Sequence, residues 1–143
     1  MGPIYDSLYY EKIMNLLQFN DVLNDSVSII NKNIDISSEF QNSDIVLLNS
    51  KFEGFSNVIL EAWDYSKILL VSKDSDPNGL IISSYNGYTY DSYEDLSQIL
   101  NSLLILSNND LRNLLFNGKQ SLLEYSFDKV ANEYFELYRK ILY

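Results

Sequence analysis

The sequence predicts an α/β domain built on a mainly parallel sheet. Two short, continuous apolar runs, Ile45–Leu48 and Ile68–Val71, have the character of strands covered on both faces. Helical periodicity fills the space between them and most of the chain after them. Turn chemistry separates the elements, at Asp76-Pro77-Asn78-Gly79 and again at Asn86-Gly87. In such a sheet, ligands bind outside the carboxyl ends of the strands, so the loops that leave those ends are the place to look for function.

The elements follow in order. Leu8, Ile13, Leu16 and Leu17 predict an amphipathic helix over Leu8–Phe19. Ser26–Ile30 reads as a strand, Asn31–Ile36 as a turn, and the segment near Ser37–Asn42 as a brief helix. Asp44–Leu48 is the first buried strand. Ser56–Tyr65 is helical and apolar almost all round (Val58, Ile59, Leu60, Ala62, Trp63), which predicts a buried helix. Ile68–Ser72 is the second buried strand, and Tyr88–Tyr90 a short third one. Asp91-x-x-Glu94 and Ser107-x-x-Asp110 have the capping pattern that precedes a helix, and Ser126 can cap a last one. Crossovers between parallel strands are expected to be right-handed.

Length and composition narrow the function. The 143 residues suit one domain, read here from residue 1 to residue 143, with a last helix over about 127–142. A chain of this size buries roughly two thirds of its unfolded surface. The net charge of −10 argues against nucleic acid or an anionic membrane as main partner. With no histidine and no cysteine, the chain lacks His-based triads, cysteine nucleophiles, disulfides and metal sites built on either residue. Only a carboxylate site for Mg²⁺ or Ca²⁺ stays open. The absence of cysteine fits a reducing compartment. The opening Met1–Tyr5 has no basic region followed by a long apolar run, so no signal peptide is expected, and no apolar run is long enough to cross a bilayer.

One segment concentrates the chemistry: Asn49-Ser50-Lys51-Phe52-Glu53-Gly54-Phe55-Ser56-Asn57, running into the helix that carries Glu61 and Ala62. Gly54 lets backbone approach a ligand closely. The helix begins near Ser56 and Asn57, where free N–H groups and the positive dipole end favour a phosphate. Glu61 lies one turn in, among apolar neighbours, and its side chain leans back toward the same opening. A buried carboxylate needs partners, and the hydroxyls of a sugar or ribose would supply them. A phosphate and hydroxyls together describe a nucleotide-sugar. The same residues also allow a plainer reading, with Glu53 solvated in a loop and Glu61 paired with a lysine. Lys51 could approach a phosphate or simply be solvated. Trp63 and the helical tyrosines Tyr9, Tyr10, Tyr134 and Tyr138 read as packing. Asp74 and Asp76 read as turn formers rather than a metal pair.

The block from Ser43 to Ser50, followed by Glu53-Gly-Phe-Ser-Asn-Val-Ile-Leu-Glu61-Ala62, resembles the E-x7-E signature of retaining GT-B glycosyltransferases of the family-4, group 1 type. Lys67–Ser72 resembles the strand that follows in that family, Asn86-Gly87 its turn, Phe127–Tyr143 its closing helix, and Gly2-Pro3 the end of an earlier strand. The resemblance implies a Rossmann-like three-layer domain, the C-terminal, donor-binding half of a GT-B fold. It implies that Glu53 faces the donor sugar as the catalytic carboxylate. The backbone around Gly54, Phe55, Ser56 and Asn57 would hold the diphosphate, and Glu61 the ribose hydroxyls. It implies a nucleotide-diphosphate-sugar as donor substrate, no other cofactor and no metal.

The resemblance also implies what is missing. The acceptor half, with its usual catalytic histidine, would lie in an N-terminal domain or partner subunit, and this chain would begin after the donor domain's first strand and helix. The family's Gly-Gly-x-x-Glu stretch reads here as Asp74–Gly79. The chain is therefore expected to bind donor weakly and to be inactive alone. The full enzyme would move a hexose to a saccharide or lipid-linked acceptor in polysaccharide biosynthesis. It would be cytoplasmic and peripheral to the inner face of the membrane, with no insertion by this chain. The alternative is a degenerate donor domain kept as an interaction module. A flavodoxin-like or receiver domain shares the alternation of elements, but the acidic pocket of a receiver is not matched in order.

Overall fold

A computed structural model describes residues 7–30, 35–51 and 53–142. Gly2-Pro3, residues 31–34 of the expected turn and Phe52 lie outside the described residues. Contacts divide the chain into two compact units, Met1–Ser37 and Ser38–Tyr143.

The first unit contains α1 (Ser7–Gln18) and α2 (Asp21–Ser26). Tyr10, Ile13, Met14 and Leu17 form the half-buried stripe of α1, while Leu8 and Leu16, expected on that stripe, are exposed. The stripe follows i, i+3, i+4, i+7, and Leu8 and Leu16 fall outside it. The strand expected over Ser26–Ile30 is absent: Ser26 closes α2, and residues 27–30 have no regular structure. The helix wins because the Asn20 side chain caps it, accepting from the Leu23 N–H at 3.2 Å. A strand there would also need a neighbour for its backbone groups, and no described strand pairs with it.

The second unit is the α/β domain. Most of α3 (Ile36–Asn42) belongs to it, followed by β1 (Ile45–Leu48), α4 (Asn57–Asp64), β2 (Ile68–Ser72), a 3-10 turn (Lys73–Ser75), β3 (Tyr88–Tyr90), α5 (Tyr93–Leu104), α6 (Asn108–Leu123) and α7 (Phe127–Leu142). The strands form a three-stranded sheet in the order β1-β2-β3. Both pairings are parallel, with Leu48 opposite Val71 and Ser72 opposite Tyr90. All carboxyl ends therefore share one edge, from which residues 49–51, the 3-10 turn and the start of α5 depart.

Central β2 is buried through Leu69, Leu70 and Val71. β1 departs from the expectation of cover on both faces: it is an edge strand, and Leu47 is 52% exposed. Phe40, Ile59, Ala62, Trp63, Leu69, Val71, Leu80 and Ile81 make the core. Phe40 stacks on Tyr65 with centroids 5.2 Å apart. Trp63 sets the position of α4 against α6, its indole N–H donating to the Asn86 carbonyl at 2.8 Å. On α6, Gly118 leaves room for the ring: a Cβ there would stand 2.6 Å from Trp63 Cδ1. Asn86 organises the expected turn, accepting from the Ile82 N–H at 2.8 Å and donating to the Leu80 carbonyl and Ser121 Oγ, each at 3.0 Å. Lys119 pairs with Asp64, a second tie between α6 and α4.

The helix starts are mostly where the capping residues predict. Ser107 caps α6, accepting from the Asp110 N–H at 3.2 Å. For α5 the cap is Ser92, not Asp91: its hydroxyl accepts from the Asp95 N–H at 3.1 Å. Asp91 is occupied by an ion pair with Lys73. α7 covers 127–142, as the sequence predicts, and most of its large apolar side chains are exposed.

Candidate functional site

The segment singled out by sequence leaves the carboxyl end of β1 and enters α4, on the edge where ligands bind in parallel α/β sheets. Glu53 is half-buried, and Gly54 and Asn57 are exposed. A Cβ at Gly54 would meet nothing within 4 Å, so the packing of this chain leaves the backbone there open to approach from outside. Phe55 is exposed on one side and packs against Tyr125 on the other, with centroids 5.7 Å apart.

Ser56 is the cap residue of α4, with extended backbone (φ −87°, ψ 92°), yet its side chain makes no cap hydrogen bond. The residue is 3% exposed and its Oγ is buried without a partner. Its carbonyl accepts from the Ile59 N–H at 3.1 Å. The N–H groups of Asn57 and Val58 have no acceptor within the helix, because the first turn of any helix lacks one. The buried Ser56 hydroxyl therefore lies in the residue that opens α4, at the positive end of the helix.

Glu61 corrects one expectation. It is exposed rather than enclosed by apolar side chains. On α4 the buried residues are Ile59, Ala62 and Trp63. Asn57, Glu61 and Asp64 form the opposite stripe at i, i+4 and i+7, which faces solvent. The lysine pairing is not found either: the ion pairs among the described residues go to Asp91, Asp64, Glu124 and Glu136. Glu61 thus shares the stripe that begins at Asn57, with its carboxylate unoccupied by described side chains.

The loop is held from below by the turn after β2. The Ser75 hydroxyl accepts from the Ser50 N–H at 2.6 Å and donates to the Ser50 carbonyl at 2.9 Å. It also lies 2.7 Å from Ser72 Oγ. The Asn78 amide donates to the Gly54 carbonyl at 2.9 Å. The Asp76 carboxylate accepts from the Leu80 and Ile81 N–H groups at 2.8 Å each, the turn-forming role expected of it. Ser75 and Asn78 carry no motif of their own; their sequence signal is the turn chemistry of Asp74–Gly79, which contains both.

At the ends of β2 and β3, Lys73 pairs with Asp91, and that hydrogen bond and charge hold the Lys73 ammonium above its ordinary pKa. Next to it in sequence, Tyr90 is buried with its hydroxyl unpartnered. Burial, and secondarily Tyr93, raises its phenol above the usual value. Among the described residues no group of three or more acidic residues is placed to hold a metal ion, and no helix is long and apolar enough to cross a membrane.

Residues 11–120 match the profile of the family described as Glycosyl transferases group 1. A Campylobacter jejuni protein, N,N'-diacetylbacillosaminyl-diphospho-undecaprenol alpha-1,3-N-acetylgalactosaminyltransferase, is 33% identical over 111 residues, which are 76% of this chain and 29% of that protein. Among solved structures, a glycosyltransferase from Rickettsia africae superposes with a TM-score of 0.80 at 20% identity, over 99% of this chain and 38% of that one. The C-terminal domain of LpcC, a group 1 protein from Francisella tularensis, gives 0.71 at 21% identity, over 87% of this chain and 66% of that one. HepE of Anabaena in complex with UDP-glucose gives 0.73 at 22% identity, over 91% of this chain and 36% of that one. The chain thus spans between about a third and two thirds of these solved chains, and less than a third of the Campylobacter protein.

Proposed function

This chain belongs to the glycosyl transferases group 1 family, with the fold of a GT-B C-terminal domain, and we propose that it is the nucleotide-sugar binding half of a retaining transferase. The observation that carries the reading is the buried, unpartnered Ser56 hydroxyl at the open N-terminus of α4. A buried hydroxyl without a partner is costly, and a diphosphate oxygen there would relieve the cost. The same oxygen would accept from the free amides of the first turn and lie at the positive end of the helix dipole.

The remaining roles are those that the family resemblance implies. The backbone of Gly54, Phe55, Ser56 and Asn57 binds the diphosphate. Glu61, on the solvent stripe of α4, accepts hydrogen bonds from the ribose hydroxyls. Glu53, half-buried just before the helix, faces the donor sugar and stabilises the charge that develops as the bond to the diphosphate breaks. Fixed donors and the helix dipole stabilise the departing diphosphate electrostatically. We infer that this site works without a metal. The complexes of HepE with UDP-glucose and with UDP support a nucleoside-diphosphate donor.

The transferred group is a hexose, and the acceptor a saccharide or lipid-linked saccharide. The printed activity of the Campylobacter relative, on a diphospho-undecaprenol compound, supports the lipid-linked case. Acceptor binding resides in an N-terminal domain or partner subunit, and this chain alone catalyses nothing. The reading is of a cytoplasmic domain, peripheral to the inner face of the membrane in the full enzyme. A second reading, a non-catalytic donor domain that serves as an interaction module, is favoured by the exposed apolar residues of α7, among them Phe135, Ile141 and Leu142.

Calorimetric titration with UDP, GDP and ADP and their glucose forms tests the proposal. Saturable binding lost in Glu61→Ala, a variant that melts like wild type, supports a donor site. Absence of heat with every nucleotide, from a protein that melts cooperatively, rejects it and favours the interaction module.

A further inference from the structure

The loop that carries the proposed donor site is fastened by a segment distant in sequence, and at two points. At residue 50, the Ser75 hydroxyl bonds both the N–H and the carbonyl of Ser50, across 25 residues. A hydroxyl has one hydrogen to donate. Since that hydrogen goes to the Ser50 carbonyl, the contact with Ser72 Oγ must run the other way, with Ser72 donating. Ser75 therefore uses its hydrogen and both acceptor positions, and it is completely buried. At residue 54, the Asn78 amide donates to the Gly54 carbonyl from the same segment. Asp76, between the two, fixes the segment itself through the Leu80 and Ile81 amides. Gly79 turns the chain with φ 65°, in the region that favours glycine.

We propose that Ser75 and Asn78 are positioning residues for the donor site. The Lys73–Gly79 segment acts as a two-point clamp that fixes the backbone at Ser50 and Gly54, so that the amides of residues 54–57 meet a diphosphate already aligned. The proposal rests on the donor-site reading above. Its physical basis is preorganisation: Gly54 has no side chain and no Cβ contact to hold it, so tethering its carbonyl removes freedom that ligand binding would otherwise have to remove. Ser75 acts on the stem of the loop and Asn78 on its tip. The side chain of Asn78 is exposed and outside the core, so its work is local to the loop.

The test uses the 143-residue chain and the variant Asn78→Ala, with Asn78→Gln to restore a donor. Backbone hydrogen exchange is followed at Gly54 to Asn57, and binding of UDP is compared with binding of uridine. The clamp predicts faster exchange at residues 54–57 with unchanged exchange in β2. UDP affinity should fall about fivefold, uridine affinity should be unaltered, and the melting temperature should stay the same. Asn78→Gln should recover part of the UDP affinity. Ser75→Ala, which strands both backbone groups of Ser50, should loosen the loop further and also lower the melting temperature. Unchanged exchange at residues 54–57 in Asn78→Ala overturns the clamp, as does unchanged UDP affinity when wild type binds. If wild type binds no nucleoside diphosphate, the donor-site reading itself fails and the positioning role falls with it; the exchange data then still report whether the tether exists.

Discussion

Replacing Ser56 by alanine should make the unliganded protein more stable and the liganded protein less so. The cap position of a helix normally makes Ser→Ala destabilising by about 1 kcal/mol, through loss of a side-chain bond to the first turn. Ser56 makes no such bond. Its Oγ is instead buried without a partner, a cost of about 1–3 kcal/mol that alanine removes. Against this stands the small void left by one oxygen, about 0.5 kcal/mol of lost contact. The balance is a gain of roughly 1 kcal/mol, or about 3 °C in melting temperature for a domain of this size.

The ligand side has the opposite sign. A hydrogen bond to a charged phosphate oxygen is worth about 1.5–3 kcal/mol, so UDP affinity should fall by about 10- to 100-fold. At UDP equal to 100 times the wild-type dissociation constant, wild type gains about 2.7 kcal/mol and the variant only about 0.4–1.4. The order of melting temperatures therefore inverts on adding UDP. Thermal denaturation of both proteins, with and without UDP, reads this directly. A variant less stable than wild type without ligand would show that the hydroxyl is already satisfied, and equal protection by UDP would show that it does not meet the ligand. Either result refutes the reasoning.

Other outcomes follow from the same geometry. Gly118→Ala gains about 1 kcal/mol of helix propensity but drives a Cβ to 2.6 Å from Trp63 Cδ1, and the indole is held by Asn86 and cannot swing away. Overpacking of about 1–3 kcal/mol should dominate, with a net loss of about 1 kcal/mol in urea unfolding followed by the fluorescence of this single tryptophan; unchanged stability would contradict it. Tyr90→Phe removes a second unpartnered buried hydroxyl and should stabilise by about 1 kcal/mol. Burial raises the Tyr90 phenol pKa, so above a pH of about 10 the unfolded chain loses that proton first and stability falls. The loss ends once the folded phenol ionises too, and Tyr90→Phe should make this alkaline limb shallower in melts between pH 9 and 12.

Much of the sheet and its helices was legible because apolar runs and capping residues are local signals. Ile68–Val71 could only be a covered strand, and Ser107 could only precede a helix. The strand expected at Ser26–Ile30 failed because Val27, Ile29 and Ile30 favour extended backbone only where a neighbour pairs with it, and the Asn20 cap had already committed the chain to a helix. The exposure of Leu47 is not legible, because a run of four apolar residues does not say which strand lies at an edge.

At the site, the loop and the start of α4 were legible from Gly54, Ser56 and the two glutamates. The exposure of Glu61 was legible too, had the polar positions 57, 61 and 64 been read as one stripe. The unpartnered state of Ser56 Oγ, and the tethers from Ser75 and Asn78, arise where distant segments meet. No local pattern carries them.

The central claim is that a nucleoside diphosphate sits on the first turn of α4. Amide chemical shifts followed by NMR during a UDP titration test it most directly. The account predicts saturable shifts concentrated at Gly54, Phe55, Ser56 and Asn57, extending to Glu61, and absent in Glu61→Ala at the same concentrations. Shifts concentrated elsewhere, such as along α7, or no shifts at all in a folded protein, would contradict it.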